Sequence, residues 1–240
     1  MSPGISGTLR QATINTVVSV GAVCILSDRP AVCAAIIAVL LAATRRVWHT
    51  RRDSCVALAG LLCGVALEWL ATAAGLWRYR VESWAGLPIW VAVLWPTYMI
   101  GLPRLAEWFV PAAPAKRLGV AIPSIAVALE IVVLVTLGAR APWITVGLLL
   151  VIGSVVLMAA PSRRAIVILA IGAAFGVACE ALPVRLGIWT YPAFPDSLPP
   201  WLAPGYAVLG LCVVAIGEAV ADHTEANPLH GDEEHRIGRR

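Results

Sequence analysis

Gly64-Val65-Ala66-Leu67-Glu68, followed by Gly75-Leu76-Trp77-Arg78-Tyr79, returns with identical internal spacing as Gly176-Val177-Ala178-Cys179-Glu180, followed by Gly187-Ile188-Trp189-Thr190-Tyr191. Each copy sets a glutamate inside an apolar run and a Gly-x-Trp-x-Tyr element just beyond it. Working outward with a single one-residue gap, Pro88-Ile89-Trp90 answers Pro199-Pro200-Trp201, Trp95 answers Tyr206, and Glu107 answers Glu218. The double arginines Arg45-Arg46 and Arg163-Arg164 precede the two copies and are read as matching in placement. The duplication divides the chain into two similar halves, residues 1–117 and 118–221, ahead of a polar tail at 222–240.

The residues between these landmarks identify the solvent. Of 240 residues, 60% are hydrophobic and only 13% are charged, and the mean hydropathy is +0.83. That composition lies outside the range of a soluble domain, so lipid must solvate most of the surface. Apolar runs near 12–27, 30–44, 54–76, 85–103, 118–138, 142–160, 165–182 and 198–221 approach the roughly 20 residues that a membrane-crossing helix requires. They predict an all-α integral membrane protein of about eight transmembrane helices. The first two runs are short enough that a tight hairpin or re-entrant pair is an alternative. Four helices per half bring the chain back to its starting side, so the halves are expected to be parallel repeats about an axis along the membrane normal.

The net charge of +4 comes almost wholly from arginine, Lys116 being the sole lysine. It is not a nucleic-acid footprint; orientation explains it. With the N-terminus in the cytoplasm, Arg10, Arg45, Arg46, Arg51, Arg52, Arg104, Lys116, Arg117, Arg163, Arg164, Arg236, Arg239 and Arg240 fall inside. Only Arg29, Arg78, Arg80, Arg140 and Arg185 fall outside, so the positive-inside rule puts both termini in the cytoplasm. The excess of arginine over lysine, with abundant Ala and Val, suggests a GC-rich bacterial genome and hence the inner, cytoplasmic membrane. The chain start lacks a signal-peptide build, and its first apolar run is expected to be retained as a helix.

Cys24, Cys33, Cys55, Cys63, Cys179 and Cys212 form no C-x-x-C pair, which predicts packing residues rather than disulfides or zinc. No nucleotide loop, Ser/His/Asp set or zinc-protease motif occurs, and no cofactor or metal is expected. His223, His230 and His235 in the tail are irregularly spaced, so a solvated, disordered tail is the expected reading over metal binding.

Glu68 and Glu180 lie about seven residues, or two helical turns, inside the predicted outer boundary. An acid at a helix centre costs about 2.5–3.5 kcal/mol to insert, and it therefore tends to face inward and to be functional. Desolvation favours its neutral form, which could donate a proton. The alternative is that each glutamate only hydrogen-bonds a neighbouring helix. Glu130, mid-way along the fifth helix and without a counterpart in the first, is a third inward-facing acid, while Glu107 and Glu218 at cytoplasmic helix ends should pair with basic loops. Trp77, Trp84, Trp90, Trp143, Trp189 and Trp201, among ten tryptophans, cluster near predicted outer helix ends. They form an interfacial aromatic belt or line a pocket in which ring faces stabilise a cation and exclude water. The candidate catalytic residues are therefore Glu68 and Glu180, and the candidate substrate-binding residues are Trp77, Tyr79, Trp90, Glu130, Trp189, Tyr191 and Trp201. Arg78, Arg80 and Arg185 either snorkel or pair with the buried acids. The proline-rich stretch 192–200 either caps the cavity or is a passive turn.

The succession of an intramembrane glutamate, Gly-x-Trp-x-Tyr, a short loop and Gly-Leu-Pro-x-Trp, carried by Glu68, Gly75, Trp77, Tyr79, Gly86, Leu87, Pro88 and Trp90, resembles carotenoid-pathway integral membrane proteins. These are the lycopene cyclase domain, which often occurs twice in one chain, and the related carotenoid hydratases. The resemblance covers about 25 residues in each half. It implies a helical bundle acting on an apolar isoprenoid by acid-initiated cyclisation or hydration. Where lycopene cyclases carry a pair of glutamates after Gly-Leu-Pro, this sequence has Ile89-Trp90 and Pro200-Trp201, so any acid chemistry falls to Glu68 and Glu180. Two other classes fit the same residues: a proton-coupled transporter or binding protein for a lipid-like or cationic molecule, and a membrane scaffold. The expected partners are membrane lipid and an apolar isoprenoid. The oligomeric state is not written in the sequence.

Overall fold

A computed structural model describes residues 3–48, 50–110 and 118–225. They form eight helices: α1 (Pro3–Leu26), α2 (Pro30–Trp48), α3 (Arg51–Ala73), α4 (Val91–Phe109), α5 (Ala121–Leu137), α6 (Pro142–Ala159), α7 (Arg163–Arg185) and α8 (Leu202–Glu225). Two short strands, β1 (Arg78–Tyr79) and β2 (Trp189–Thr190), follow α3 and α7.

Matching caps open the two motif-bearing helices. The Thr50 hydroxyl accepts from the Asp53 amide at 3.2 Å while the Asp53 carboxylate accepts from the Thr50 amide at 3.1 Å, a capping box; Ser162 accepts from the Ala165 amide at 3.0 Å. Such caps stabilise a helix start by about 1 kcal/mol. The residues that follow them are Arg51-Arg52 and Arg163-Arg164. The double arginine equivalent to Arg163-Arg164 is therefore Arg51-Arg52, which corrects the pairing with Arg45-Arg46; the latter belong to α2.

The helix packings come in matched pairs. α3 lies on α4 as α7 lies on α8, and α1 on α2 and α4 as α5 on α6 and α8. Across the halves, α3 meets α8 as α7 meets α4, and α1 meets α7 as α5 meets α3. β1 and β2 pair antiparallel with Arg78 opposite Thr190 and Tyr79 opposite Trp189. Each strand thus pairs with its own sequence counterpart, the register of a local two-fold axis passing through the Arg78–Thr190 pair.

Glycines let the motif helices approach their neighbours. A Cβ at Gly64 would run into the Trp95 ring, and one at Gly176 would run into the Tyr206 ring. One turn away, Gly60 abuts Met99 and Gly172 abuts the Tyr206 backbone. Two G-x-x-x-G faces therefore seat α4 on α3 and α8 on α7, the small-residue packing that membrane helices use where the hydrophobic effect offers no contrast.

At the other end of these helices, Arg52 pairs with Glu107 at 2.9 Å and with Glu218, Arg164 pairs with Glu218 at 2.8 Å, and Arg104 pairs with Asp53 at 2.5 Å. Glu107 and Glu218 thus join the starts of α3 and α7 to the ends of α4 and α8.

Four helices, Arg51–Ala73, Pro142–Ala159, Arg163–Arg185 and the Leu202–Thr224 part of α8, are long and apolar enough to cross a membrane. Leu62, Ile125, Leu150, Val151 and Val155 face outward, half or more exposed, as lipid-facing side chains do. The chain is a multi-pass helical membrane protein. α1 and α2 are full helices of 24 and 19 residues, α1 starting well before residue 12. α4 starts at Val91 rather than 85, because Ala85 and Gly86 take positive φ (49° and 80°) in the turn that pairs Trp84 with Leu87. Residues 222–225, expected in the tail, continue α8, whereas 226–240, including His230 and His235, lie outside the described residues.

Candidate functional site

The glycine of each Gly-x-Trp-x-Tyr element ends its helix. Gly75 and Gly187 take left-handed φ (72° and 65°), and the next residues, Leu76 and Ile188, donate back to the Ala71 and Pro183 carbonyls at 2.9 and 3.0 Å. This is the Schellman turn. It folds the chain back so that the following Trp and Tyr reach an acid two turns inside the helix.

Glu68 accepts from Trp77 Nε1 at 2.9 Å and the Tyr79 hydroxyl at 2.6 Å on Oε2, and from Trp95 Nε1 at 3.2 Å on Oε1. Glu180 accepts from Trp189 Nε1 at 2.5 Å and the Tyr191 hydroxyl at 2.8 Å on Oε2, and from the Tyr206 hydroxyl at 2.5 Å on Oε1. Both acids are buried, 8% and 7% exposed. An indole can only donate, so the carboxyl oxygens facing Trp77, Trp95 and Trp189 must be acceptors. Each acid has three donors, two on one oxygen and one on the other.

The two clamps stand back to back. Trp77 meets Tyr191 at 5.9 Å between ring centroids and Tyr79 meets Trp189 at 5.8 Å, while Trp90 and Trp201 each close an equivalent three-ring cluster. Trp95 and Tyr206 stack at 5.9 Å with 17° between planes. The stacked pair and both glutamates form a wall bordered by a cavity on each side.

The first cavity lies between α1, α4 and α7. Its lining is mostly apolar, with Thr16 and Ser19 on α1 and Trp90 and Leu94 next to and on α4. Ser19 Oγ and Trp90 Nε1, both buried, have no hydrogen-bond partner among the described residues. The second, smaller cavity lies between α3, α5 and α8 and is lined by Glu130, Leu134, Trp201 and Gly205. There the equivalent of the Trp90 indole is satisfied, because Trp201 Nε1 donates to the Gly138 carbonyl at 2.8 Å.

Every candidate residue borders one of these cavities. Glu68 and Glu180 border both; Tyr79, Trp90 and Trp189 border the first, and Trp77, Glu130, Tyr191 and Trp201 the second. The tryptophan cluster splits: Trp77, Trp90, Trp189 and Trp201 are buried, whereas Trp84 and Trp143 are exposed, as belt residues are. Arg80 pairs with Asp28 at 2.5 Å and donates to Ser27, not to either buried acid. All six cysteines are free. The sequence reading leaves Trp95, Tyr206 and Ser19 out of the site. The first two are detectable as answering positions of the duplication; nothing marks Ser19 within its apolar run.

The fold and site define a class: an internally duplicated, multi-pass helical membrane protein whose halves meet across two clamped glutamates. No protein-family profile and no curated protein sequence matches the chain. Its fold is similar to that of the mycobacterial Insig homologue MvINS from Mycobacterium vanbaalenii, with a TM-score of 0.58 and 20% identity over 72% of this chain and 96% of that one. The crystal structure of a cross-linked trimer of MvINS, formed by a cysteine variant of that protein, matches with the same values. These neighbours overturn the resemblance to lycopene cyclases and carotenoid hydratases. The residues that carried it, Glu68, Gly75, Trp77 and Tyr79, are accounted for by a helix-ending turn and a hydrogen-bonded clamp.

Proposed function

We propose that this protein binds a lipid-like molecule in the cavity between α1, α4 and α7. The observation that carries the reading is the pair of unpartnered polar atoms, Ser19 Oγ and Trp90 Nε1, beside a mostly apolar cavity whose two glutamates are already held by Trp and Tyr donors. A buried polar group without a partner costs about 1–3 kcal/mol. The indole accepts nothing, so the ligand presents an oxygen acceptor, a hydroxyl, ester or carbonyl, on an apolar body. In this reading Glu68 and Glu180 tie the segments after α3 and α7 to the bundle. With every lone pair facing an indole committed, they are poor proton donors to an alkene, and binding is favoured over acid catalysis.

The reading places all eight helices across a bacterial inner membrane as two four-helix halves, 1–117 and 118–221, with both termini cytoplasmic. The arginine asymmetry and the paired helix packings support it. The clustering of Arg52, Arg104 and Arg164 at one end of the bundle supports the same orientation.

The test is mass spectrometry of lipids that stay with the purified protein through detergent exchange. The wild type is expected to retain one oxygen-bearing lipid class enriched over the bulk membrane. Leu94→Trp, which fills the cavity, should lose that enrichment, and a Ser19→Ala/Trp90→Phe double variant should reduce it about tenfold or more, the loss of two hydrogen bonds. Bulk-membrane lipid proportions on the wild type would sink the proposal.

A further inference from the structure

The second cavity poses a different chemical problem. Glu130 is 0% exposed, and neither carboxyl oxygen has a partner among the described residues. The donors around it are committed elsewhere. Trp77 and Trp95 donate to Glu68, Tyr191 and Tyr206 donate to Glu180, and Trp201 donates to the Gly138 carbonyl. No lysine, arginine or histidine among the described residues lines the cavity. Whatever satisfies Glu130 must bring its own donors, and, if the acid is ionised, its own positive charge.

The rest of the wall says which cation. It consists of leucine side chains, Gly205, five aromatic residues, Trp77, Trp95, Tyr191, Trp201 and Tyr206, and the two clamped acids Glu68 and Glu180. The oxygens of these two acids are already held by Trp and Tyr donors. Glu130 contributes the cavity's two unengaged carboxyl oxygens. A bare metal ion would lack a shell of oxygen ligands there. An organic ammonium matches the wall, because its N–H groups or charge meet the carboxylate while its carbons meet aromatic faces. Space for it is kept beside the acid by Gly205, whose notional Cβ would lie 3.6 Å from Glu130 Oε1; the answering position in the first half is Leu94.

We propose that the cavity between α3, α5 and α8 binds a small organic ammonium ion, with Glu130 as its counter-ion. This site is separate from the lipid cavity, and its success or failure is independent of that reading.

The experiment titrates the full-length protein in nanodiscs with methylammonium and tetramethylammonium chloride, against sodium chloride at constant ionic strength. Tryptophan fluorescence and thermal melting are the readouts, since three tryptophans line the cavity. A saturable response to at least one organic cation and none to sodium is expected. Glu130→Gln should weaken it about thirtyfold or more, the loss expected when one member of a buried charge pair is removed. Gly205→Leu, which fills the space beside the carboxylate, should abolish it while the protein still melts cooperatively. The Ser19→Ala/Trp90→Phe variant should bind as the wild type does. No saturable response, an equal response to sodium, or wild-type binding by folded Glu130→Gln or Gly205→Leu would overturn the proposal. If Glu130→Gln does not fold, the Gly205→Leu arm decides.

Discussion

The cavity between α1, α4 and α7 and the cavity between α3, α5 and α8 sit on opposite sides of one wall, built from Glu68, Glu180, Trp95 and Tyr206. The helices around them are equivalent and their chemistry is not. The first offers hydroxyls and an unpartnered indole; the second offers an unpartnered acid and no spare indole. What the two halves share is frame: the glycine that ends the helix, the Trp and Tyr that fold back, and the glutamate they grip. What differs lines the empty space: Ser19 on the first cavity, Glu130 on the second, and Leu94 where the other half has Gly205. In a duplicated fold the repeated motif marks what holds the molecule together, and the departures from repetition mark what each half can bind.

The largest expected effect tests whether both halves are seated alike. Gly64→Ala and Gly176→Ala would each drive a Cβ into the ring of Trp95 or Tyr206. Each should destabilise by about 3 kcal/mol or more, the upper range of overpacking, read as a fall in melting temperature or loss of folded protein. Toleration of one but not the other would show that the two helix pairs are held by different contacts.

A smaller effect sharpens the difference between the clamps. In Glu68→Gln the amide nitrogen must face the Trp95 indole or the Trp77 indole, whichever way it is turned, because these donors approach different oxygens. In Glu180→Gln the amide nitrogen can face Tyr206, whose hydroxyl can rotate to accept. Glu68→Gln should therefore cost about 1–3 kcal/mol more than Glu180→Gln by thermal or denaturant unfolding; equal losses would contradict the hydrogen-bond pattern.

The smallest effect separates the answering tryptophans. Trp201→Phe removes the donor to the Gly138 carbonyl and should lose about 1 kcal/mol. Trp90→Phe removes an indole with no protein acceptor among the described residues and should leave the melting temperature of lipid-depleted protein close to wild type.

The helix cores are legible in the sequence because lipid solvation demands long apolar runs, and few other features of a sequence are as periodic or as long. The ends are not. The start of α4 depends on positive φ at Ala85 and Gly86, and a non-glycine residue such as Ala85 gives no warning of it. The matching arginines are ambiguous because two double arginines lie close together; the caps Thr50 and Ser162 decide between them. Glu68 and Glu180 stand out because they repeat with Trp and Tyr nearby. The third donor of each clamp comes from the next helix, 27 and 26 residues away. It also changes residue type between halves, so the alignment shows a correspondence without showing a shared partner. Ser19 and the unpartnered state of Trp90 are beyond reach, since an unmet hydrogen bond is a property of surroundings and not of residue type.

The strand pair in which Arg78 faces Thr190 has a consequence for how such a molecule can vary. A residue lying on a dyad between two separate, identical subunits meets its own image, and two arginines opposed in that way would repel. Covalent linkage of the halves removes the constraint. Arginine can then sit against threonine, tryptophan can stack on tyrosine, and one compartment can acquire an acid that the other lacks. Fusion turns a symmetric frame into an obligate one-to-one pairing of two unlike compartments, a stoichiometry that no assembly of identical chains could guarantee.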